Sequence, residues 1–391
     1  MNNRFLIFIV LVLSFSACKN QDKKTTSQAP ANPTATAVEN SFSDPYFYKT
    51  LEGAIAGKPI EMHFLKYNDN VDANYFYVEK GQPVFLYKDW DKSGKDSIYL
   101  FEDTPDSLGR SAKIALFISN NGLNGVWTSA DRKSSYPVVL RARTQQSTLH
   151  FNAFGYTDSA KYTKFKTDTP TLKSTMAIVG AVDKNERAAW LNGSLQKTLV
   201  SNNKFASISL QQMPKTLVEH DVKGYKADVD SSLAGVSDDA GGHYFLNREY
   251  ITTGNIIYNG NGYVVYSIYS YAYTGGAHGM YGTGMYCFDV ENKKQLAFND
   301  IVKADSLAIS GLLEKSYRAK FNLPSSTPIT DRLFVNAIPL NKNFYFSPKG
   351  LGFIYTPYEI ASYADGEINL WIPFSDLKPY LTTAFINRMH L

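Results

Sequence analysis

Tyr263–Val290 reads YVVYSIYSYAYTGGAHGMYGTGMYCFDV. Its first part alternates, with Val265, Ser267, Tyr269 and Tyr271 on one side and Tyr266, Ile268, Ser270 and Ala272 on the other. A period of two in aromatic and β-branched residues predicts a strand inside a sheet. The strand runs into Thr274-Gly275-Gly276-Ala277-His278-Gly279, and a second strand is expected from Met285 to Val290. Glycines this close together imply positive φ or a closely approached backbone. Two readings of the loop stand side by side. In one it is a tight connection whose histidine makes a structural hydrogen bond. In the other, Thr274, Gly275, Gly276, His278 and Gly279 belong to a ligand or partner site at the sheet edge.

The flanking sequence extends the same pattern. Asn259-Gly260-Asn261-Gly262 is a hairpin signal that delivers the chain into this strand from one expected over His243–Thr253. Further back, Met176–Val182 reads as a strand. Asp183-Lys184-Asn185-Glu186 has the cap-x-x-Glu spacing of a helix start, and Ala188, Leu191, Leu195 and Leu199 recur at helical spacing. Helices are therefore expected over about 184–200 and, less regularly, about 207–234. Downstream, a helix over Ala304–Phe321 leads to a hairpin of Phe344–Ser347 and Leu351–Thr356. An aromatic loop, Pro357–Gly366, carries Tyr358, Glu359 and Tyr363. A strand over Glu367–Ile372 and a short helix from Ser375 end the chain. Helices with a mixed, mostly antiparallel sheet predict an α+β domain over 165–391.

Residues 45–148 read differently. Short strands recur about every ten residues, broken by turns such as Gly57-Lys58-Pro59 and Gly81-Gln82-Pro83. This predicts an all-β antiparallel meander, barrel or sandwich-like, ahead of the α+β domain. Trp127 is expected in its core, although Trp90 and Trp127 could instead line a sugar-binding face. The stretch over 145–170 is polar and irregular around one possible strand, and marks the expected boundary between two separable domains.

The chain's beginning is an address. Arg4 precedes an apolar run from Phe5 to Leu13, too short for the roughly 20 residues that span a bilayer, and Ser16-Ala17 lead into Cys18. Residues 1–17 are expected to be a lipoprotein signal peptide. Small residues before a cysteine resemble a bacterial lipobox, which implies lipidation of Cys18 by diacylglycerol and palmitate-type acyl chains. Several acyl chains hold a bilayer firmly where one alone would not. Residues 18–44, rich in Lys, Thr, Pro, Asn and Ser, cannot bury a core and are expected to be a disordered tether. The folded part is then extracytoplasmic, at the periplasmic face of an outer membrane or at the cell surface. The net charge of +4 is scattered, so no nucleic-acid footprint is visible. With Cys18 lipidated, Cys287 has no partner for a disulfide and reads as a small packed hydrophobe.

A family resemblance rests on motifs in order: Tyr273-Thr274-Gly275-Gly276-Ala277-His278-Gly279, Asn299-Asp300-Ile301, Phe344-Tyr345-Phe346, Gly350-Leu351, Tyr358-Glu359-Ile360, Gly366 and Ile372-Pro373-Phe374. Over roughly 170–385 the chain resembles the DUF3298/DUF4163 family, the extracytoplasmic module of the RsiV anti-sigma factor that also accompanies the deacetylase domain of PdaC. The resemblance implies an envelope α+β module, and in RsiV that module binds lysozyme.

Catalytic signatures are missing. There is no His-Glu-x-x-His, no Gly-x-Ser-x-Gly elbow and no complete dinucleotide or P-loop fingerprint, and the histidines show no metal-ligand spacing. No metal and no cofactor are expected. The leading expectation is a non-enzymatic envelope lipoprotein that binds a lysozyme-like protein or a peptidoglycan or other glycan ligand. Its site would be Thr274, Gly275, Gly276, His278, Gly279, Tyr358, Glu359 and Tyr363. The alternative is a glycan-directed hydrolase or deacetylase in which His278 and Glu359 act as an acid–base pair, which requires the two loops to meet.

Overall fold

The computed structural model describes residues 40–89, 97–105, 108–143, 148–165, 169–200, 205, 207–233 and 244–391. The signal peptide, Cys18, most of the tether and Trp90 lie outside the described residues. Eight strands come first: β1 Tyr46–Ile55, β2 Lys58–Tyr67, β3 Asn70–Tyr77, β4 Pro83–Lys88, β5 Ser97–Glu102, β6 Lys113–Ser119, β7 Gly122–Thr128 and β8 Ser135–Ala142. Each pairs antiparallel with the next, and β8 returns to β1 at Leu51–Ala142, so the meander closes as a barrel rather than a sandwich. The alternation sets the two faces. On β2, Ile60, Met62 and Phe64 fill the barrel with Phe47, Leu51, Ile114 and Leu140. Leu65 and Tyr67, of the opposite parity, join Tyr48 in a second core outside the barrel. Trp127 is half-buried at the barrel's end, where its Nε1 donates to Glu102 at 2.5 Å and its ring stacks on Tyr136.

That second core is shared with a six-stranded sheet. Its strands are β9 Phe151–Lys161, β10 Thr171–Ala181, β11 Arg248–Gly260, β12 Tyr263–Tyr273, β13 Met280–Asp289 and β14 Lys294–Gln295, in spatial order β14-β13-β12-β11-β10-β9. Only the β10–β11 pair is parallel. A parallel pair needs a crossover, and helices α1 Glu186–Leu199 and α2 Met213–Ser232 supply it. Asn185, not Asp183, caps α1 by accepting from the Ala188 amide; Asp183 instead accepts from the His150 amide and faces its Nδ1. The expected hairpin turn holds, with Asn261 and Gly262 at φ 53° and 73°.

On the sheet's other face lie α3 Phe298–Ile301, α4 Ser306–Phe321, a three-stranded sheet of β15 Phe344–Ser347, β16 Gly350–Tyr355 and β17 Ile368–Pro373, then α5 Phe374–Leu377 and α6 Thr383–Met389. Tyr345, Phe346, Leu351 and Phe353 anchor this third core against Tyr258, Tyr263 and Val265. The six-stranded sheet is thus covered on both faces, which is why Tyr263 to Ile268 are all buried and the alternation surfaces only from Tyr269 onward. Among the described residues no helix is long and apolar enough to cross a membrane.

Barrel and sheet meet through polar groups as well as apolar ones. Asp72 on β3 accepts from Thr253 Oγ1 at 2.5 Å and Asn255 Nδ2 at 3.0 Å on β11. β11 carries a bulge at Ile256–Tyr258, and Asn74 Nδ2 donates to the Ile256 carbonyl at 2.9 Å. The expected domain start at 165 falls in the turn between β9 and β10, inside the sheet, so the sheet begins at Phe151.

Candidate functional site

Beyond Ile268, β12 and β13 extend past the buried sandwich as a hairpin, and its tip is the glycine-histidine loop. Two of its glycines are fixed by local geometry. Gly275 has φ 93°, and a Cβ there would lie 2.1 Å from the Phe245 carbonyl oxygen; a Cβ on Gly279 would lie 2.4 Å from the Tyr271 ring. Gly276, at φ 97°, faces open space and is the one position of the three that leaves its backbone approachable. Thr274 and His278 are exposed.

The second loop joins β16 to β17. Its shape comes from carboxylates closing short turns. Glu359 accepts from the Thr356 amide at 3.0 Å, and Asp365 from the Ser362 amide and hydroxyl at 3.1 and 2.5 Å. Tyr358 has φ 71°, an uncommon conformation for a residue with a side chain, held by its amide donating to the Ala361 carbonyl at 3.1 Å. The result is a tyrosine ring 52% exposed.

The two loops meet. The His278 ring stacks on Tyr363 with centroids 4.1 Å apart and planes 28° from parallel. The Tyr363 hydroxyl donates to the Gly279 carbonyl at 2.7 Å, and His278 Nδ1 donates to the same oxygen at 3.0 Å. Around this joint the rings continue as a row. Tyr358 lies 5.8 Å from Tyr363, Tyr281 meets Tyr363 edge-on at 5.7 Å, and Tyr269 flanks Tyr281 at 6.1 Å. The two loops singled out from the sequence are thus in contact, and Tyr281 and Tyr269 join them in the row. Their period-two positions on β12 and β13 were visible, but their pairing with the second loop was not.

Glu359 and His278 do not form a pair. The carboxylate's other oxygen accepts from Asn341 Nδ2 at 3.0 Å, and no hydrogen bond or ion pair links it to the histidine among the described residues. A different carboxylate braces the site. Glu367 accepts from the Thr283 amide at 2.5 Å and its hydroxyl at 2.8 Å, on the open edge of β13. Asn343 completes that edge, donating to the Thr283 carbonyl and accepting from the Met285 amide, both at 2.7 Å. Side chains thus satisfy an edge that no strand covers. Burial pushes the Glu367 carboxyl above its ordinary range, opposed by the two bonds from Thr283.

Elsewhere, grooves of about 550 and 630 Å³ flank Trp371, and neither is lined by the two loops. The Cys287 thiol is buried, and burial drives its pKa upward, which removes it as a nucleophile.

Residues 299–375 match the family model of DUF3298, a protein of unknown function. That segment is narrower than the resemblance drawn over 170–385; it contains Tyr358, Glu359 and Tyr363 and begins after the glycine loop. The fold is similar to the crystal structure of a DUF3298 family member from Bacteroides fragilis, at 23% identity and a TM-score of 0.57, over 62% of this chain and 99% of that one. A DUF3298 family protein from Pseudomonas aeruginosa aligns at 14% identity and a TM-score of 0.41, over 60% of this chain and 95% of that one. No curated protein matches the chain.

Proposed function

We propose that the chain is a cell-envelope lipoprotein, anchored to a bacterial membrane through lipidated Cys18 with its folded part extracytoplasmic. On this reading it is a non-enzymatic binding module for a lysozyme-like protein or a glycan. The observation that supports it best is the His278–Tyr363 stack, which joins two loops on separate sheets into one aromatic surface. Tyrosines on braced loops offer contact area with little entropy to lose on binding. The hydrolase alternative is less well supported, because no hydrogen bond joins Glu359 to His278 among the described residues; Glu359 accepts from Thr356 and Asn341. Truncating Tyr358 and Tyr363 together to alanine should weaken capture of lysozyme or of peptidoglycan fragments by about tenfold or more, the loss expected of a hot spot. The same assay should detect no turnover of those fragments. Turnover abolished by His278→Ala, with binding retained, would make the protein an enzyme. For the anchor, Cys18→Ser should move the protein from the membrane pellet to the soluble envelope fraction, and unchanged pelleting would refute lipidation at that residue.

A further inference from the structure

The charge pattern around the aromatic row is lopsided. From Glu249 to Asn292, which includes both β12 and β13, the chain has no lysine or arginine, and neither has Gly350 to Leu377, which includes the second loop. Arg248, just before the first of these stretches, does lie against Gly275, but its guanidinium donates to the Phe245 and Asn247 carbonyls. The chain as a whole carries net charge +4, so this is not a generally acidic protein. The second loop contributes Glu359, Asp365 and Glu367, and none of the three has an ion pair among the described residues. Glu359 and Asp365 are exposed, and Asp365 uses a single oxygen, Oδ2, for its turn. Arg332 and Asp365 act with opposite sign on the Tyr317 hydroxyl without pairing to each other. Capping a turn explains an oxygen acceptor at these positions. It does not require a charge, because Gln at 359 or Asn at 365 offers an acceptor oxygen at the same reach. The Tyr358 ring, 52% exposed, meanwhile presents an electron-rich face on the same loop as those carboxylates, whereas His278 covers one face of Tyr363.

We infer that this face receives a cationic partner: a protein segment presenting lysine or arginine side chains, seated over Tyr358 with Glu359 and Asp365 as its counter-charges. The inference rests on the binding-surface reading above and narrows the kind of ligand. Tyrosine faces attract an ammonium or guanidinium group through their quadrupole, and neighbouring carboxylates add direct attraction and hydrogen-bond acceptors. The surface forms an open row of rings rather than an enclosed cage, which suits side chains projecting from a macromolecule. Complementary charge of this kind acts on encounter rate and selectivity, and suppresses partners of the wrong sign.

The test uses the full chain carrying Cys18→Ser and three probes: a fluorescent deca-lysine peptide, the same peptide with every lysine acetylated, and chitohexaose. Deca-lysine should bind, the acetylated peptide should not, and raising salt from about 20 to about 200 mM should weaken binding by about tenfold or more. Tyr358→Ala, and separately Glu359→Gln with Asp365→Asn, should each weaken deca-lysine about tenfold. The amide variants retain an acceptor oxygen for their turns, and an unchanged melting temperature checks that the loop has kept its shape. Equal binding by wild type and both variants would mean attraction elsewhere on the surface, and would overturn the inference. So would absence of deca-lysine binding. Chitohexaose bound through Tyr358, with deca-lysine ignored, would overturn the cationic partner and leave the binding-surface reading standing. If Tyr358→Ala changed the binding of no probe in a folded protein, both would fall.

Discussion

Two histidine–tyrosine pairs occupy opposite environments in this protein. His63 and Tyr48 lie in the seam between barrel and sheet, with Tyr48 Oη 2.7 Å from His63 Nδ1 and the histidine wholly shielded from solvent. Glu61 and Arg143 complete that cluster with an ion pair at 2.6 Å. His278 and Tyr363 pair face to face on the outside, Tyr363 sharing its loop with Glu359 and Asp365, and neither ring has an ion pair among the described residues. The same residue types thus give a structural element where water is excluded and a presentable surface where it is not. In the seam every polar group must find a partner inside the protein or destabilise the fold. On the loops water can serve as a partner, so a polar group left without one costs the fold little.

The most severe way to probe this contrast is to cut the seam. The sequence suggests separable domains with the second starting near 165. In the structure such a cut removes β9, which pairs along its whole length with β10, and strips the barrel from the core containing Leu65, Tyr67, Ile178 and Tyr266. It also leaves Thr253 and Asn255 without Asp72. Residues 165–391 expressed alone are expected to be insoluble or to give collapsed amide spectra. A cooperative unfolding transition for that fragment would show that the seam is an ordinary domain interface.

A gentler probe is acid. Burial, helped by the Arg143 charge, pushes the His63 pKa down to about 3. The unfolded chain binds a proton at this residue near pH 6.5 while the native state does not, so His63 favours the fold above about pH 6.5 and that contribution is lost as pH falls. Wild-type stability should carry a His63 term falling by up to about 1.4 kcal/mol per pH unit below that point. His63→Gln should lack the term, so the difference between the two unfolding free energies should shrink or reverse from pH 7 to pH 5. Parallel pH profiles would mean that the seam admits water and lets His63 titrate normally. The raised carboxyl at Asp72 acts in the opposite direction in both proteins and cancels in the difference.

The contrast also separates what sequence could reveal from what it could not. Barrel strands such as β2 were legible because Ile60, Met62 and Phe64 alternate with outward residues, a property of neighbouring positions alone. β9 was not. Its Gly155 weakens the pattern because the Tyr46 ring occupies the space a side chain would need, and that ring is supplied by a distant strand. The start of β13 at Met280 was likewise hidden. Gly282 and Gly284 read as loop, yet Thr356 and the Tyr286 ring pack over them. At the candidate site His278, Tyr358 and Tyr363 were found from loop chemistry. Glu367 was passed over because its role, satisfying the open edge of β13, exists only once two sheets are side by side.

The smallest effect is expected at the exposed pair, and it sharpens the comparison most. Tyr363→Phe deletes one hydroxyl whose bond to the Gly279 carbonyl is 2.7 Å long. The ring remains, so the stack on His278 and the edge contact from Tyr281 should persist. The Gly279 oxygen keeps His278 Nδ1 as a donor and is not left unsatisfied, which limits the loss to a net hydrogen bond, about 0.5–1.5 kcal/mol. His278→Ala removes the other donor and the stacked ring from a solvent-facing position, so its cost should also stay near 1 kcal/mol. Deleting both should cost more than the sum, because the carbonyl then loses both donors together. A double-mutant cycle read by chemical denaturation measures that coupling directly. A coupling near zero would mean the two loops are held together by Glu367 and Asn343 alone, with the stack merely resting on the surface. A substantial coupling would make the His278–Tyr363 joint the feature that fixes the geometry of the aromatic row, so that a ligand meets one preformed surface rather than two loose loops.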